Sequence, residues 1–301
     1  MKDGTIPEHL RKYEIPERVA IVRGGGDLPK LSVRTNWSTA EIYLLGAHVT
    51  EFQKNGEPPL LFLSQASHFA AGKAIRGGVP IVFPWFGPRE GRSQHGFARV
   101  TEWEWEGSSA GLDGTVTVRF GLPEDAARAD GSPPSNVTFT VTVSDRLTME
   151  LAIVNPSATE SLSFENCLHT YFAIGDIAEV EITGLQGTAF IDKVDNFARK
   201  SESAAAIRIN SETDRVYLDA TGTVEIHDLK NHRKIRVEKS GSASTVIWNP
   251  WVVKARQISD FREDEYKQMV CVESGNVAQN KMSLAPGEST SLRVVLSSQP
   301  I

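Results

Sequence analysis

The sequence contains few cysteines: only Cys167 and Cys271 occur among its 301 residues. Two cysteines cannot supply the several disulfides that hold a small secreted domain together, and a chain of this length buries enough surface to need none. The polar stretch Met1–Glu17 also lacks the apolar core of a secretion signal. These features predict a protein of a reducing compartment, the cytoplasm.

Long apolar runs are missing as well, since no stretch approaches the roughly 20 apolar residues that cross a bilayer. Positive charge is not in excess: 32 Lys and Arg residues stand against 38 Asp and Glu residues, for a net charge of −6. A general nucleic-acid binder would need a basic face. We therefore expect neither a membrane nor a nucleic acid as partner, although a few clustered arginines would suffice for a small anion.

Motifs for metals and nucleotides are equally scarce. Five of the seven histidines form no zinc-like spacing with Cys, Asp or Glu, and His227 and His232 flank a predicted hairpin turn, where two solvated turn residues are favoured over a metal site. The triplet Gly24-Gly25-Gly26 has neither the spacing of a dinucleotide fingerprint nor the ending of a phosphate-binding loop, so we interpret it as a turn. The sequence predicts a protein that uses no metal and no cofactor.

The dominant pattern is alternation of apolar and polar residues with a period of two. In Val137–Val143 the odd positions hold Val or Phe and the even positions hold Thr, and Met149–Ile153 and Thr115–Phe120 alternate similarly. Such alternation is typical of half-buried strands. Further short β-rich runs are Val216–Leu218, Thr223–Ile226, Ile235–Val237, Thr245–Trp248, Met269–Val272 and Leu292–Leu296.

Helical patterns are short and few. Ser259–Met269 and Ser64–Ala74 each predict a short helix, whereas the Pro-, Gly-, Ser- and Asp-rich segment Leu122–Ser135 predicts a long surface loop. Many antiparallel strands with few helices are typical of a sandwich or a barrel. Because no linker or repeat is visible, we predict an all-β protein with one domain spanning residues 1–301.

Five segments interrupt the strand pattern, and such interruptions are candidate functional sites. Each segment also has an interpretation that involves no function. In chain order, these interpretations are a rigid loop wall, a polar strand end, a core histidine, a solvated turn and a carboxylate with a structural partner. Burial would raise the pKa of a carboxylate at a strand end toward values that suit a base. The segments are Ala74–Pro88 with Arg76, Gln94–Arg99 in strand-like alternation, the apolar strand Asn166–Phe172 with His169, Asp214–Tyr217, and Cys271–Asn276 with Glu273 at a strand end.

Together these segments resemble the aldose 1-epimerase superfamily, and within it the hexose-6-phosphate mutarotases. Six matches occur in the family's order, which is more specific than any single match, and the resemblance extends over nearly the whole chain. The matching texts are IRGGVPIVFPWFG at Ile75–Gly87, QHGFAR at Gln94–Arg99, LHTYF at Leu168–Phe172, TDRVY at Thr213–Tyr217, WNPW at Trp248–Trp251 and VESGN at Val272–Asn276.

The resemblance implies a galactose-mutarotase-like β-supersandwich with a sugar in a cleft on its concave face. The implied reaction interconverts the α and β anomers of glucose 6-phosphate, or of a related hexose 6-phosphate, by acid–base opening and closure of the ring. In it Glu273 acts as base and protonated His169 as acid. The implied substrate-binding residues are Arg76, Gln94, Arg99 and Asp214, and His95 is expected to line the same pocket.

Arginine suits a phosphate because its planar fork donates two parallel hydrogen bonds. Arg76 and Arg99 are the first candidates for this contact, and Arg89 and Arg92 are further ones. The indole and phenyl rings that could pack on the C–H face of a sugar, rather than in the core, are those of Trp85, Phe86 and Trp251.

Three alternatives stay open. A neutral-sugar aldose 1-epimerase would use the same catalytic pair without a phosphate contact. A non-catalytic carbohydrate-binding sandwich would share the fold, because a fold does not imply a function. A glycoside hydrolase would need a second carboxylate beside Glu273, for which Asp214 is the only candidate. We expect a monomer, since no long amphipathic helix is present.

Overall fold

Strands dominate the fold. The structure is a computed structural model that describes residues 6–301, so the first five residues of the polar stretch and of the predicted domain lie outside it. Within the described residues, the strands β1 to β23 in chain order are Val19–Arg23, Pro29–Arg34, Ser38–Tyr43, His48–Lys54, Ile81–Val82, Glu104–Ala110, Val116–Gly121, Asn136–Val143, Leu147–Val154, Leu162–Phe164, Asn166–Leu168, Tyr171–Ala173, Val180–Thr183, Ala189–Asp192, Ala198–Ser201, Ala206–Ile207, Thr213–Leu218, Val224–Asp228, Arg233–Ser240, Ser244–Asn249, Met269–Asn276, Met282–Leu284 and Ser289–Pro300.

Two large sheets carry most of these strands. One has the order β16-β13-β18-β19-β23-β9-β8-β7-β6, and the other has the order β15-β14-β17-β20-β21-β11-β5, with β12 also paired to β21. Strand pairs in both sheets are antiparallel. A four-stranded meander β1-β2-β3-β4 and the pair β10-β22 complete the architecture. The prediction of an all-β antiparallel fold is confirmed.

Alternation along the strands decides which side chains enter the core. In β8 the odd-numbered Val and Phe residues are buried, while the threonines between them are half-buried on the other face. Each buried Val or Phe contributes about 1.5–3 kcal/mol. Their partners across the ladder are also apolar, since Phe139 pairs with Phe120 on β7 and with Leu151 on β9. The period-two prediction for these strands is therefore confirmed.

The eight-stranded sheet has a core face and a second face that carries functional groups. Val270 and Val272 of β21 and Ile247 of β20 join the main apolar core, which also contains residues of the nine-stranded sheet. Because successive side chains of a strand point to opposite faces, Glu273 and Trp248 lie on the other side. This second face holds the cleft described below.

The helices depart from the sequence-based predictions. The expected loop Leu122–Ser135 contains a helix, α1 at Glu124–Asp130, which buries Ala127 and ends at Gly131 in the left-handed conformation (φ 70°). Acidic residues in its first turn and Arg128 in its last turn suit the helix dipole. A second helix, α2, spans Trp251–Ala255. No helix of the described chain is long and apolar enough to cross a membrane.

The helix predicted at Ser64–Ala74 is wrong, because the segment forms turns and bends. Its serine hydroxyls bond elsewhere: Ser64 Oγ donates to Glu265, and Ser67 Oγ accepts the backbone N–H of Arg76. Such side-chain bonds compete with helix formation. Ser259–Met269 holds only a short 3₁₀ helix. The 3₁₀ helices of the described chain are Glu8–Tyr13, Gly25–Asp27, Ala98–Val100, Ile177–Glu179, Glu265–Gln268 and Ala278–Asn280.

A buried ion pair fixes the hairpin between β18 and β19. Arg233 Nε donates to Asp228 Oδ2 at 3.1 Å, and the two side chains are 4% and 0% exposed. Asp228 also accepts the backbone N–H of Gly175, and Arg233 donates to the carbonyls of Pro58 and Pro59. The hydrogen bonds satisfy both charges, which makes the burial tolerable.

Candidate functional site

A cleft of about 350 Å³ opens on the second face of the eight-stranded sheet. Six of the seven residues that the resemblance pointed to line it, although they come from distant parts of the chain. The seventh, Arg99, lies outside the lining, and its Nη2 donates to the Gln94 carbonyl at 2.8 Å. The lining residues are Arg76, Phe86, Pro88, Gln94, His95, His169, Tyr171, Lys193, Asp214, Trp248, Lys254, Ile258 and Glu273.

His169 and Glu273 form a buried pair at the floor of the cleft. His169 Nε2 lies 3.2 Å from Glu273 Oε1. The pairs Leu168–Ser274 and Tyr171–Cys271 flank the two residues, and this register places His169 directly opposite Glu273. The strand alignment therefore brings the two groups together.

The local setting of both residues differs from the prediction. His169 was expected within a strand, but it lies in the gap between β11 and β12, where its backbone N–H donates to the Pro80 carbonyl at 3.0 Å. Glu273 was expected at a strand end, but β21 continues to Asn276. The sequence Ser274-Gly275-Asn276 is poor in typical strand formers, and the pairing with β11 and β20 overrides that propensity.

Burial shifts the pKa values of the two groups in opposite directions. It raises the pKa of Glu273 well above its ordinary value, and the negative charge of Asp214 adds to this effect. It lowers the pKa of His169, and the positive charges of Arg99 and Arg76 lower it further. Both shifts favour the uncharged carboxylic acid and imidazole over the carboxylate and the imidazolium, so burial opposes the ordinary order of acidity of the two groups.

His95 contributes a neutral imidazole in a defined tautomer. It sits in a tight turn at φ 64°, so the strand-like alternation expected for Gln94–Arg99 is wrong. Its Nδ1 accepts the backbone N–H of Gly87 at 3.1 Å, which assigns the ring proton to Nε2. Burial lowers its pKa and keeps the ring neutral. The ring meets that of His169 edge to face, with centroids 5.5 Å apart.

Arg76 is held at the cleft by two partners that the sequence did not indicate. Its Nε and Nη2 lie 3.2 and 3.1 Å from Asp260 Oδ1, and its Nη1 donates to Tyr171 Oη at 3.1 Å. The Tyr171 ring stacks on the His169 ring at a centroid distance of 4.8 Å. One tyrosine thus contacts both the guanidinium and the imidazole, and the signal for it was its place in the LHTYF text.

Two lysines complete the charged lining, and the sequence analysis missed both. Lys193 follows β14, and its Nζ lies 2.8 Å from Asp214 Oδ2. Lys254 lies in α2, three residues beyond Trp251 of the WNPW text, which is the one signal that could have found it. Asp214 itself lies in β17 rather than in a solvated turn, and burial raises its pKa. The lining thus contains three cationic side chains, Arg76 and the two lysines, and two carboxyl groups, those of Asp214 and Glu273.

Other candidates from the sequence lie elsewhere. Arg89 and Arg92 lie over the Trp85 ring, at 5.1 and 5.8 Å from its centroid, and neither lines the cleft. The Trp85 side chain belongs to the core. Of the three aromatic residues that the sequence indicated as candidates for a sugar face, only Phe86 lines the cleft. Trp248, which the sequence did not indicate for this role, lines the cleft as well.

One group of side chains in residues 6–301 offers donor atoms close enough for a metal ion: His169, Cys271 and Glu273, whose ligand atoms lie within 4.8 Å of one another. Both oxygens of Glu273 already have partners in the chain, Oε1 in His169 and Oε2 in the thiol of Cys167. We assign no ion to these three groups, and only His169 and Glu273 carry protons in the reaction proposed for this cleft.

Comparison with known proteins places this cleft in a family. The model of the family described as Aldose 1-epimerase matches residues 29–297. A Cenchrus ciliaris protein named "Putative glucose-6-phosphate 1-epimerase" is 35% identical over 269 residues, which cover 87% of this chain and 82% of that protein. A protein of the same name from Escherichia coli (strain K12) is 35% identical over 246 residues, covering 80% of this chain and 81% of that protein.

Solved structures agree on the fold. A crystal structure of a "putative mutarotase" from Salmonella typhimurium superposes with a TM-score of 0.88 at 29% identity and covers 96% of each chain. A galactose mutarotase-like protein from Clostridium acetobutylicum has a TM-score of 0.73 at 14% identity, covering 94% of this chain and 98% of that one, and it shows the fold alone. The expected galactose-mutarotase-like architecture is confirmed, and the chain belongs to the aldose 1-epimerase family.

Proposed function

We propose that this protein interconverts the α and β anomers of a hexose 6-phosphate, with glucose 6-phosphate as the first candidate. The observation that carries the proposal is the contact of 3.2 Å between His169 and Glu273 in a cleft that also holds Arg76 and two lysines. An acid and a base lie side by side, and cations sufficient for a phosphate lie around them. The names of the relatives point to the same substrate.

In the proposed reaction Glu273 removes the proton from the hydroxyl group on C1. The C1–O1 bond becomes a double bond while the bond from C1 to the ring oxygen breaks, and that oxygen takes the leaving electron pair and a proton from His169. The open-chain aldehyde then rotates about C1–C2, and the ring closes on the other face with both proton transfers reversed. Atoms and charges balance without a cofactor.

The opposite pKa shifts of the two groups bear on this proton transfer. Before ring opening the pair is a carboxylate and an imidazolium, and afterwards it is a carboxylic acid and a neutral imidazole. Because burial raises the pKa of Glu273 and lowers that of His169, it favours the second of these states relative to the first, which is the direction of proton transfer in ring opening. Each positioned acid or base typically contributes about 10²–10⁴-fold to the rate.

The substrate contacts are proposed from the chemistry of the lining. Arg76 and Lys254 would bind the phosphate, whereas Arg99, which lies outside the lining, would act on it through its charge only. The Asp214 carboxylate and the Gln94 amide suit sugar hydroxyls, which both donate and accept hydrogen bonds. The His95 Nε2–H offers one more donor to the sugar. The Trp248 ring and the Phe86 ring both line the cleft and are the candidates to pack against the C–H face of a sugar.

We further propose that residues 1–301 act as one domain and as a cytoplasmic monomer. The main core contains residues of both large sheets, as in a single folding unit. Cys167 and Cys271 are both buried free thiols, which suits a reducing compartment. Sedimentation analysis of the purified protein tests the oligomeric state.

The deciding experiment is anomer exchange of glucose 6-phosphate followed by NMR, with catalytic amounts of protein, repeated with glucose. Faster exchange of the phosphate sugar alone supports the proposal. Equal exchange of both sugars would make the protein a neutral-sugar epimerase. Binding of the sugar phosphate by folded protein without faster exchange would favour a non-catalytic carbohydrate-binding protein, and release of reducing sugar from glycosides would point to a hydrolase.

A further inference from the structure

Each oxygen of the Glu273 carboxylate has one close partner, and one of these partners has no place in the chemistry above. Oε1 faces His169, whereas Oε2 lies 3.6 Å from Sγ of Cys167 in hydrogen-bonding geometry. Cys167 is fully buried and does not line the cleft. It therefore touches the side chain proposed as the base from behind, where no substrate reaches it.

Strand geometry builds this contact. Cys167 of β11 pairs with Gly275 of β21, so Glu273 is its diagonal neighbour on the same face of the sheet. Gly275 leaves room for the approach, because a Cβ atom on it would lie 2.7 Å from the Cβ of Cys167 and 2.3 Å from the carbonyl oxygen of Asn166. A larger residue there would push the thiol away from the carboxylate.

The hydrogen bond of the thiol goes to Glu273, and the positive charge of the half-buried Lys239 also acts on the thiol. Cys167 packs in a small apolar cluster whose other members include Val82, Val216 and Val246. Burial raises the pKa of this thiol, and the charge of Glu273 raises it further, so the S–H proton is retained. A protonated thiol beside a carboxylate oxygen acts as a weak donor.

We propose that Cys167 is a positioning residue, whose thiol donates to Oε2 of Glu273 and holds the carboxylate with Oε1 toward His169 and the sugar. This inference rests on the proposed function of Glu273. A weak donor has an advantage over a hydroxyl at this position. A serine would stabilise the carboxylate more strongly, lower the pKa of Glu273 and make it a weaker base.

Several other groups around Glu273 also influence its pKa and must stay in place when Cys167 is changed. Asp214 of β17 raises the pKa of Glu273, whereas Lys193 and the more distant Arg99 lower it. His169 faces Oε1, and Cys271 lies two residues away on the same strand. Substitutions of Cys167 leave all five groups in place. A shift in the titration of Glu273 would then report the lost or strengthened donor.

The test compares Cys167→Ala and Cys167→Ser with Cys271→Ala as control, because Cys271 is the other buried thiol and donates nothing to Glu273. The acid limb of kcat/KM for glucose 6-phosphate should move to higher pH in Cys167→Ala, which loses the donor, and to lower pH in Cys167→Ser. At the optimum, Cys167→Ala should lose about 2- to 10-fold in kcat with KM unchanged, as expected for one hydrogen bond. The control should keep the wild-type limb.

Two outcomes would overturn the inference: an acid limb that stays in place in both variants, or one that moves in the same direction in both. If one variant fails to fold, as judged by circular dichroism, the sign of the shift in the other decides. NMR titration of carboxyl-labelled glutamate, with Glu273→Gln to assign the resonance, reads the same shift without turnover. A shift there in a protein that exchanges no anomers would retain the role of Cys167 in orienting the carboxylate and reject the proposed function.

Discussion

Nζ of Lys193 lies 2.8 Å from Oδ2 of Asp214, and this ion pair borders the same cleft as Glu273. Its two charges act on Glu273 in opposite directions. The carboxylate of Asp214 raises the pKa of Glu273, and the ammonium of Lys193 lowers it. One contact between two side chains thus adjusts the proton affinity of a third.

Substitution of either member should shift the acid limb of kcat/KM, with opposite signs. Asp214→Asn removes a negative charge, which lowers the pKa of Glu273; the carboxylate then stays ionised to lower pH, and the limb moves down. Lys193→Met removes a positive charge, so the limb moves up. Lys193→Arg keeps the charge and should leave the limb near the wild-type position. A pH profile of anomer exchange measures all three, and shifts of equal sign in the first two would refute this account.

Glu273→Gln should abolish most of the catalytic rate without weakening substrate binding. The amide fills the same space and keeps a polar contact to His169, but it cannot accept a proton. We expect kcat to fall about 10²–10⁴-fold, the usual contribution of a positioned base. NMR exchange measures the rate, and calorimetry with glucose 6-phosphate measures binding. Near-normal turnover in this variant would reject Glu273 as the base.

Lys254→Met tests the phosphate contact, because Lys254 lines the cleft and α2 positions it from outside the sheet. We expect KM for glucose 6-phosphate to rise roughly 10-fold, the scale of one charge-assisted hydrogen bond. Any activity on glucose should stay unchanged. Arg89→Met is the matched control, since it removes a cation that lies outside the cleft. Equal loss on both sugars would assign Lys254 to the sugar ring instead.

Asp228→Ala should destabilise the fold by about 3–5 kcal/mol, because it leaves the buried Arg233 guanidinium without its counter-charge. The control is Asp145→Ala, which removes an exposed partner of Arg146 and should cost about 1 kcal/mol or less. Urea denaturation of both variants measures the free energies of unfolding. A small loss for Asp228→Ala would mean that water or a neighbouring carbonyl replaces the carboxylate.

The sequence predicted the strands well where one face is buried, because the alternation of Val137–Val143 reflects a core on one side only. It predicted the site through motif texts, and six of the seven residues named from them line the cleft. Lys193 could not be found in this way, because it follows β14 outside every matching text and reaches the cleft only through the pairing of β14 with β17. Tyr171 stood in the LHTYF text, but its contact with Arg76 depends on the tertiary fold. The helix α1 was missed for a local reason, since proline and glycine at its ends resemble loop residues.

The side chains of strand β21 alternate between two faces, with Val270 and Val272 in the main core and Glu273 on the cleft face. Inserting or deleting one residue in this strand would exchange the two faces, so a carboxylate would enter the core and a valine would replace it in the cleft. Activity and folding would fail in the same step. Such a strand can diverge by substitution but not by change of length. Length variation among relatives should therefore concentrate in segments such as Leu122–Ser135, where an insertion or deletion does not alter the register of the strands that carry the catalytic residues.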